Sequence, residues 1–155
     1  MNWLNSGTDH QSTIAVLPDI ATAYDTLYQS LWTQPHLPPQ TLELCRLRLA
    51  QLHRCAFELQ RQAYPVEDGK REHLTHWDTD SRYSAVERAC LAFTEVYAMD
   101  TQAITDELAE AVKLHVGDAG LVLLVEALGI LDGRTRLSLL WQLPASIHPP
   151  TAEGA

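Results

Sequence analysis

Apolar residues recur at three- and four-residue spacing along much of the chain, which is the period of an amphipathic α-helix. The first such segment opens at Pro18 and Asp19 and ends before Pro35. Its apolar stripe consists of Ile20, Ala23, Tyr24, Leu27, Tyr28 and Leu31. A second segment opens at Pro38 and Pro39 and carries a wider apolar arc. No alternating strand pattern bounded by hairpin turns is found, so the sequence predicts an all-α fold.

Capping and turn residues divide the second half of the chain. A short helix is predicted at residues 71–77. Ser84 and Glu87 form the S-x-x-E pattern, in which hydroxyl and carboxylate satisfy the free amides at a helix start, and the predicted helix runs to about Met99. Thr105 is the predicted cap of the following helix.

The last predicted helix is long and apolar. A break is predicted at residues 116–118, and the helix then runs to Trp141. Its run "AGLVLLVEALGIL" is interrupted by Glu126 and is shorter than the roughly 20 residues that a bilayer span requires, so it predicts a buried helix of a soluble protein. We expect the carboxylate of Glu126 to meet Arg134, Arg136 or a cation from another subunit, or to line a pocket.

Composition indicates one ordinary globular domain. The chain has 155 residues, of which 46 % are hydrophobic and 20 % charged. We expect residues 1–142 to form this single domain and residues 143–155 to be a Pro-rich tail. The formal charge of -9 argues against nucleic-acid binding through phosphates, which requires clustered Lys and Arg.

Three cysteines, Cys45, Cys55 and Cys90, form no even-numbered disulfide framework. On one helix Cys45 and Cys55 would lie about 15 Å apart, too far to bridge. A reducing, cytoplasmic setting is therefore predicted, and the N-terminal segment has no signal-peptide pattern. We expect the protein not to bind a membrane.

Three stretches resemble the carboxymuconolactone decarboxylase family, and within it the alkylhydroperoxidase D-like (AhpD-like) branch. The strongest is "ELCRLRLAQLHRCAFEL", which resembles E-L-x-x-L-R-x-A-x-L-N-G-C-x-x-C and places Glu43 and Cys55 at the same twelve-residue separation. The second is "WDTDSRYSAVERACLAFTEVY", similar to the family's tryptophan, loop and E-R-A-x-L-A helix. The third is "LGILDGRTRLSLL", where Arg136 and Leu137 match an N-x-x-N-R-L signature. Together the stretches cover residues 39–141.

This resemblance implies an all-helical subunit of about six helices that assembles into a homodimer, trimer or hexamer. It also implies thiol-based hydroperoxide reduction, a peroxiredoxin-type antioxidant activity without a cofactor, centred on Cys55 and Glu43. The second cysteine of the family motif is Glu58 here, the histidine is Gln62, and the Asn-Gly turn is replaced by residues 53–54. The redox activity is therefore expected to be weakened or lost.

The residues leave the role of Cys55 open. Arg54 could lower the pKa of its thiol, whereas the charge of Glu58 would raise it. A small buried core residue is the alternative interpretation. On an unbroken helix Glu43 and Cys55 would project about 120° apart, so they can share a site only if the helix breaks.

The two glutamates have alternatives of their own. Glu43 could form a surface ion pair with Arg46, and Glu58 could pair with Arg54 or Arg61. If Glu43 and Glu58 converge, they could instead divide into acid and base.

A metal site could be imagined at His73 and His76, with Asp78 and Asp80 nearby. The H-x-x-H spacing is a weak indication, because zinc needs three or four ligands in tetrahedral geometry, and we expect a solvated surface and no metal.

Three functions follow from these residues. The first is a one-cysteine alkylhydroperoxidase-like oxidoreductase acting on a small hydroperoxide. The second is a non-catalytic oligomer that binds a small apolar ligand. The third is a non-redox decarboxylase- or isomerase-like enzyme that uses Glu43 or Glu58 as a base.

Overall fold

The computed structural model describes residue 3 and residues 7–145. These residues form six α-helices and two short 3-10 helices, with no strand among them, and the predicted all-α fold is confirmed. The α-helices are α1 (His10–Ile14), α2 (Pro18–Thr33), α3 (Pro39–Leu52), α4 (Ala56–Gln60), α5 (Ala85–Met99) and α6 (Asp106–Leu140), and the 3-10 helices are Leu74–His76 and Thr101–Ala103. Residues 146–155 of the predicted tail lie outside the described part.

Helix boundaries follow the capping chemistry of the sequence. Pro18 and Pro39 stand at the first positions of α2 and α3, where a missing N–H costs nothing. At the start of α5, Glu87 N–H donates to Ser84 Oγ at 3.3 Å and Ser84 N–H donates to Glu87 Oε2 at 2.8 Å. The side chain of Thr105 caps α6. These four predicted starts are confirmed.

Helix α3 lies at the centre of the molecule, packed against α5 and α6. Nine of its 14 residues are buried, which is more than one face of a helix. The buried residues include Glu43 and Arg46 as well as the leucines and Cys45. Because a buried charge must be paired, the surroundings of α3 have to supply partners for these side chains.

Helix α6 is interrupted at the predicted place. Gly117 has φ 68° and ψ -174°, a conformation that only glycine adopts easily, and it separates two helical segments. The second segment buries Leu124, Leu128 and Leu131 against the core.

The expectation that this apolar helix is buried is confirmed only in part. Only 28 % of its most apolar stretch is buried, and Val122, Val125 and Leu140 are exposed. By length and composition α6 could cross a membrane, but a core helix of a soluble protein can meet the same criteria.

The predicted helix at residues 71–77 was also partly wrong. Turns occupy most of this stretch, and only Leu74–His76 is helical, in the tighter 3-10 form. Leu74 is buried and fixes the segment to α3.

Candidate functional site

The helix break that the site requires is present. Helix α3 ends at Leu52, His53 is its C-cap, and Arg54 adopts a left-handed conformation with φ 55°. Cys55 then becomes the N-cap of α4, and its N–H donates to Ala50 O at 2.9 Å. The chain therefore turns at residues 53–54, where the family pattern has Asn-Gly.

A contact with α6 holds this turn in place. His53 Nε2 lies 2.5 Å from Asp132 Oδ1, and Arg136 Nε donates to Asp132 Oδ2 at 2.7 Å. His53 and Asp132 are largely buried, whereas Arg136 is exposed. Left-handed backbone is unfavourable for an arginine, so this tie from the neighbouring helix helps to stabilise the turn at Arg54.

Glu43 forms an ion pair with Arg46, as one interpretation predicted, but the pair is inside the protein. Arg46 Nε donates to Glu43 Oε2 and Arg46 Nη2 to Glu43 Oε1, each at 2.8 Å. The side chains are 1 % and 0 % exposed. The predicted surface location was wrong, since α3 is covered on nearly every side.

Arg46 also connects this pair to Glu58, so the two glutamates do converge. Arg46 Nη1 donates to Glu58 Oε2 at 3.0 Å and to the backbone oxygen of Glu58 at 2.8 Å. Arg61 Nη1 donates to Glu58 Oε2 at 2.7 Å, and Ser138 Oγ donates to Glu58 Oε1 at 2.9 Å. We call these residues the Glu43–Arg46–Glu58 network.

Every carboxylate oxygen of the network has a donor. Glu43 Oε1 accepts from Arg46 and also from the N–H of Ala63 at 3.2 Å. Burial alone would raise the pKa of Glu58, but the guanidinium groups of Arg61 and Arg46 outweigh it and hold the pKa below its usual range. Glu58 is therefore an ionised, fully engaged carboxylate, an arrangement suited to holding the fold together.

Cys55 is closed off from solvent, with 1 % of its surface exposed. Burial raises the pKa of its thiol and the charge of Glu58 adds to the rise, while backbone amides of Glu58 and Phe57 and the charge of Arg46 oppose it. The net effect is a raised pKa, which disfavours the nucleophilic thiolate.

The other cysteines are also free and buried. Cys45 lies on α3 and Cys90 on α5, each 0 % exposed. Burial raises the pKa of Cys45 to about 12 and raises that of Cys90 as well. An electrostatic interaction with Cys45 adds to the raised pKa of Cys90.

A cavity of about 490 Å³ opens beside the network, between α1, α2 and α6. We call it the α1–α2 pocket. Its lining residues are His10, Gln11, Ile14, Ala15, Pro18, Ala21, Thr22, Tyr24, Asp25, Thr26, Tyr28, Gln29, Arg61 and Arg134. Cys55, Glu43 and Glu58 are not among them. The pocket thus reaches the arginines that hold Glu58 but not the predicted catalytic side chains.

The deep wall of the α1–α2 pocket contains polar atoms without partners. Tyr24 Oη, Tyr28 Oη and Arg134 Nε are buried, and none makes a hydrogen bond of full geometry among the described residues, although Tyr24 lies near Arg134 and Tyr28 near Arg61. The guanidinium of Arg134 stacks over the Tyr28 ring, 4.4 Å from its centroid, and Arg134 Nε lies 3.5 Å from Glu58 Oε1. His10 stacks on Tyr24 with the ring centroids 4.8 Å apart.

Sequence reasoning missed this wall, because Tyr24 and Tyr28 fit the apolar stripe of α2 and were assigned to the core. Their spacing of four residues, continued at Trp32, was the available signal. The rings follow one another along α2 with centroids 6.4 Å and 5.9 Å apart. Trp32 Nε1 is likewise buried without a partner in the described residues.

The histidines and aspartates that were considered as metal ligands belong neither to the network nor to the α1–α2 pocket. His73 Nδ1 contacts Gly69 O at 2.8 Å, and Asp80 pairs with Arg82. Within residues 7–145, no three His, Cys, Asp or Glu side chains are arranged to hold a metal ion.

The partner expected for Glu126 within the chain was wrong. Arg134 contacts Glu58 instead, and Arg136 contacts Asp132. Glu126 is exposed and lines a shallow depression beside His36.

The chain resembles a solved structure over nearly its whole length. That structure is a protein of unknown function from Agrobacterium tumefaciens, described as a candidate antioxidant defence protein AhpD. The TM-score is 0.77, and the match covers 96 % of this chain and 100 % of the other at 17 % sequence identity. The fold is AhpD-like.

At 17 % identity the similarity concerns the fold and not the activity. No protein-family model matches the sequence. No curated protein matches it either. The chemistry of this AhpD-like chain must therefore be argued from its own residues.

Proposed function

We propose that this AhpD-like chain binds a small molecule in the α1–α2 pocket and does not reduce hydroperoxides through a cysteine cycle. The observation that carries the proposal is the state of the former redox position. Glu58 stands where the family pattern has its second cysteine, and its carboxylate is held by Arg46, Arg61 and Ser138. Cys55 beside it is 1 % exposed.

Hydroperoxide reduction requires a thiolate that attacks the peroxide O–O bond, becomes a sulfenic acid and releases an alcohol. A second thiol must then attack the sulfenic acid, form a disulfide and expel water. Cys55 has a raised pKa and little access to solvent. Cys90, on another helix, is 0 % exposed and burial raises the pKa of its thiol, so it is poorly suited to act as a resolving thiol. Both halves of the cycle are therefore disfavoured.

The α1–α2 pocket supports the binding function. Its volume of about 490 Å³ lies in the range of small-molecule sites, and its mostly polar lining has an apolar side formed by Ile14, Ala15, Pro18 and Ala21. Buried polar groups in native proteins nearly always have a partner. The buried hydroxyls of Tyr24 and Tyr28, which make no hydrogen bond of full geometry among the described residues, suit a pocket whose ligand completes these hydrogen bonds.

The experiment for the thiol half of the proposal is peroxide consumption with excess dithiothreitol. Wild type, Cys55→Ser and the matched control Cys45→Ser are compared with hydrogen peroxide and with cumene hydroperoxide. We expect all three to give the same rate as buffer with dithiothreitol. Turnover by wild type and Cys45→Ser that is lost in Cys55→Ser would overturn the proposal.

One observation favours the one-cysteine hydroperoxidase as a second candidate. Cys55 is the N-cap of α4, where the backbone amides of Glu58 and Phe57 lower the pKa of its thiol, although burial outweighs them and the sulfur makes no capping hydrogen bond. If α4 opens, the same amides would stabilise a thiolate. The peroxide assay distinguishes the two candidates.

No comparable observation favours the decarboxylase- or isomerase-like alternative. A general base needs a free lone pair within reach of substrate. The carboxylate oxygens of Glu43 and Glu58 accept hydrogen bonds from within the fold, and both side chains are almost fully buried.

Self-association is part of the proposal. Val122, Val125 and Leu140 are exposed on the second segment of α6. Val122 and Leu140 are 18 residues apart, which is five full helical turns, and Val125 lies about one turn after Val122, so the three side chains project from one side of the helix. A second copy of the chain would cover this face. Light scattering should show an oligomer for wild type and a smaller species for Val122→Lys, and a monomeric wild type would contradict self-association.

A further inference from the structure

The unpartnered atoms of the α1–α2 pocket share one property, which is that they can all donate a hydrogen bond. Arg134 Nε is only a donor, and its 3.5 Å ion pair with Glu58 Oε1 lacks hydrogen-bond geometry, while the hydroxyls of Tyr24 and Tyr28 donate as readily as they accept. Tyr28 is 5 % exposed, so bulk water does not solvate its hydroxyl. A ligand that satisfies this wall must present several acceptor atoms close together.

The charges around the α1–α2 pocket also favour a ligand with acceptor atoms. Glu58 is shared by Arg46 at 3.0 Å, Arg61 at 2.7 Å and Arg134 at 3.5 Å, and Arg46 is shared again with Glu43. Three guanidinium groups thus face two carboxylates, which leaves one positive charge uncompensated within the network. Arg134 has the longest of these contacts and lines the pocket, so the excess lies at the pocket wall.

The remaining titratable groups at the pocket are a neutral histidine and two solvent-exposed carboxylates, which offset this excess only in part. Burial and the charge of Arg134 lower the pKa of His10 to about 4, so His10 is neutral at pH 7. The carboxylate of Asp9 accepts hydrogen bonds from Ser12 at the start of α1 and also interacts with the charges of Arg134 and Arg61, so it offsets part of the positive charge. Asp25 lines the pocket from an exposed position, where water screens its charge.

The rest of the lining is largely apolar on one side. Ile14 and Ala15 come from the end of α1, and Pro18 and Ala21 from the start of α2. An apolar body of a ligand can pack here while its polar end reaches the tyrosines. A bare inorganic anion would leave this surface uncovered.

Resting on the proposed small-molecule function, we infer that the α1–α2 pocket takes a small organic carboxylate with an apolar body. Its two oxygens accept hydrogen bonds from Arg134 and the hydroxyls of Tyr24 and Tyr28. Its body packs against Ile14 and Ala21. A carboxylate suits the wall because guanidinium groups bind its two oxygens with matched geometry.

The test uses isothermal titration calorimetry on the full chain with three probes, benzoate, benzyl alcohol and inorganic phosphate. Benzyl alcohol keeps the apolar ring without the charge, and phosphate keeps an oxyanion without the ring. We expect benzoate to bind at least tenfold more tightly than either, and its affinity to fall as sodium chloride is raised. Phosphate binding as tightly as benzoate would overturn the inference, because the apolar body would then contribute nothing.

Variants locate the binding. Ala21→Trp fills the pocket and should abolish benzoate binding, while Ala23→Trp on the same helix does not line the pocket and should leave it unchanged. Arg134→Gln should weaken benzoate at least tenfold, and Tyr28→Phe several-fold with the fold intact. Equal affinity of benzoate for wild type and Tyr28→Phe, or for wild type and Ala21→Trp, would overturn the inference.

The calorimetry distinguishes failure of the inferred carboxylate ligand from failure of the proposed small-molecule binding. Benzyl alcohol that binds as tightly as benzoate and is blocked by Ala21→Trp would keep the small-molecule pocket and remove the carboxylate. No binding of any of the three probes would contradict both.

Discussion

Two buried polar regions lie side by side in this protein, and they differ in whether their hydrogen bonds are complete. In the Glu43–Arg46–Glu58 network every carboxylate oxygen has a donor from within the chain. In the α1–α2 pocket the buried hydroxyls of Tyr24 and Tyr28 make no hydrogen bond of full geometry among the described residues.

The difference separates a structural region from a binding region. A complete network has no spare donor or acceptor for a substrate, so it stabilises the fold that contains it. An incomplete set of buried donors carries a free-energy cost that a ligand can remove. The residues that align with the redox motif belong to the first kind, and the region that we propose as functional belongs to the second.

The largest expected effect comes from breaking the complete network. Arg46→Met should lower the free energy of unfolding by about 3–5 kcal/mol, because it leaves Glu43 and Glu58 buried without their shared partner. Chemical denaturation monitored by circular dichroism measures this change.

The matched control is Arg48→Met on the same helix. Arg48 pairs with Glu95, but the two side chains are 16 % and 32 % exposed, so we expect a loss of about 1 kcal/mol or less. Equal losses for the two variants would show that the network is no more important than a surface ion pair.

The pH dependence of stability tests the pocket side. The pKa of His10 is near 6.5 in the unfolded chain and lowered to about 4 in the fold, mainly by burial. The fold therefore disfavours the charged form, so the contribution of His10 is complete above pH 6.5 and is lost as pH falls toward 4. A tenfold change in a proton-binding constant corresponds to about 1.4 kcal/mol, so we expect a loss on the order of 2–3 kcal/mol.

Unfolding free energies at several pH values, for wild type and His10→Gln, measure this contribution. The variant should show a shallower fall between pH 6.5 and 4, and the remaining fall should come from carboxylates such as Glu58, whose pKa is lowered in the fold. Parallel curves for the two proteins would mean that α1 does not bury His10.

Ser138→Ala removes one hydrogen bond from the complete network. Ser138 Oγ donates to the ionised Glu58 at 2.9 Å, and hydrogen bonds to charged groups contribute about 1.5–3 kcal/mol. We expect a loss of this size in the free energy of unfolding. Ser30→Ala is the control, since Ser30 is exposed and bonds only its own helix, and a loss as large there would discount the role of Glu58.

The smallest expected effect comes from a variant in the α1–α2 pocket, where no complete hydrogen bond is lost. Tyr28→Phe removes a buried hydroxyl that has no hydrogen-bond partner in the described structure, so the ligand-free protein should lose no stability and could gain up to about 1 kcal/mol. Thermal unfolding without ligand measures it. A loss above about 1 kcal/mol would show that the hydroxyl is satisfied and that the two regions do not differ as we describe.

Sequence reasoning predicted the helices well because their caps are local. Ser84 with Glu87, and Thr105, bond to amides three residues away, so their role is visible in a short stretch of sequence. The break at Gly117 is local too, because it follows from a backbone conformation that glycine favours.

The candidate site could be predicted only in part because its partners are distant in sequence. Glu43 and Arg46 are three residues apart, and their pairing was predicted, but only the packing of α5 and α6 makes the pair buried. Ser138 reaches Glu58 across 80 residues. The turn at Arg54 is likewise stabilised from α6, which a breaker rule based on Asn-Gly could not anticipate.

The most direct test of the central claim is the pH dependence of alkylation of Cys55, followed residue by residue by mass spectrometry. The account predicts slow modification with a half-point above the value of about 8.5 for a free cysteine, since burial raises the pKa of this thiol. Cys45 and Cys90 should react even less, and unfolded protein gives the reference rate for all three. Fast modification of Cys55 with a half-point well below about 8.5 would contradict the account and support a redox role for Cys55.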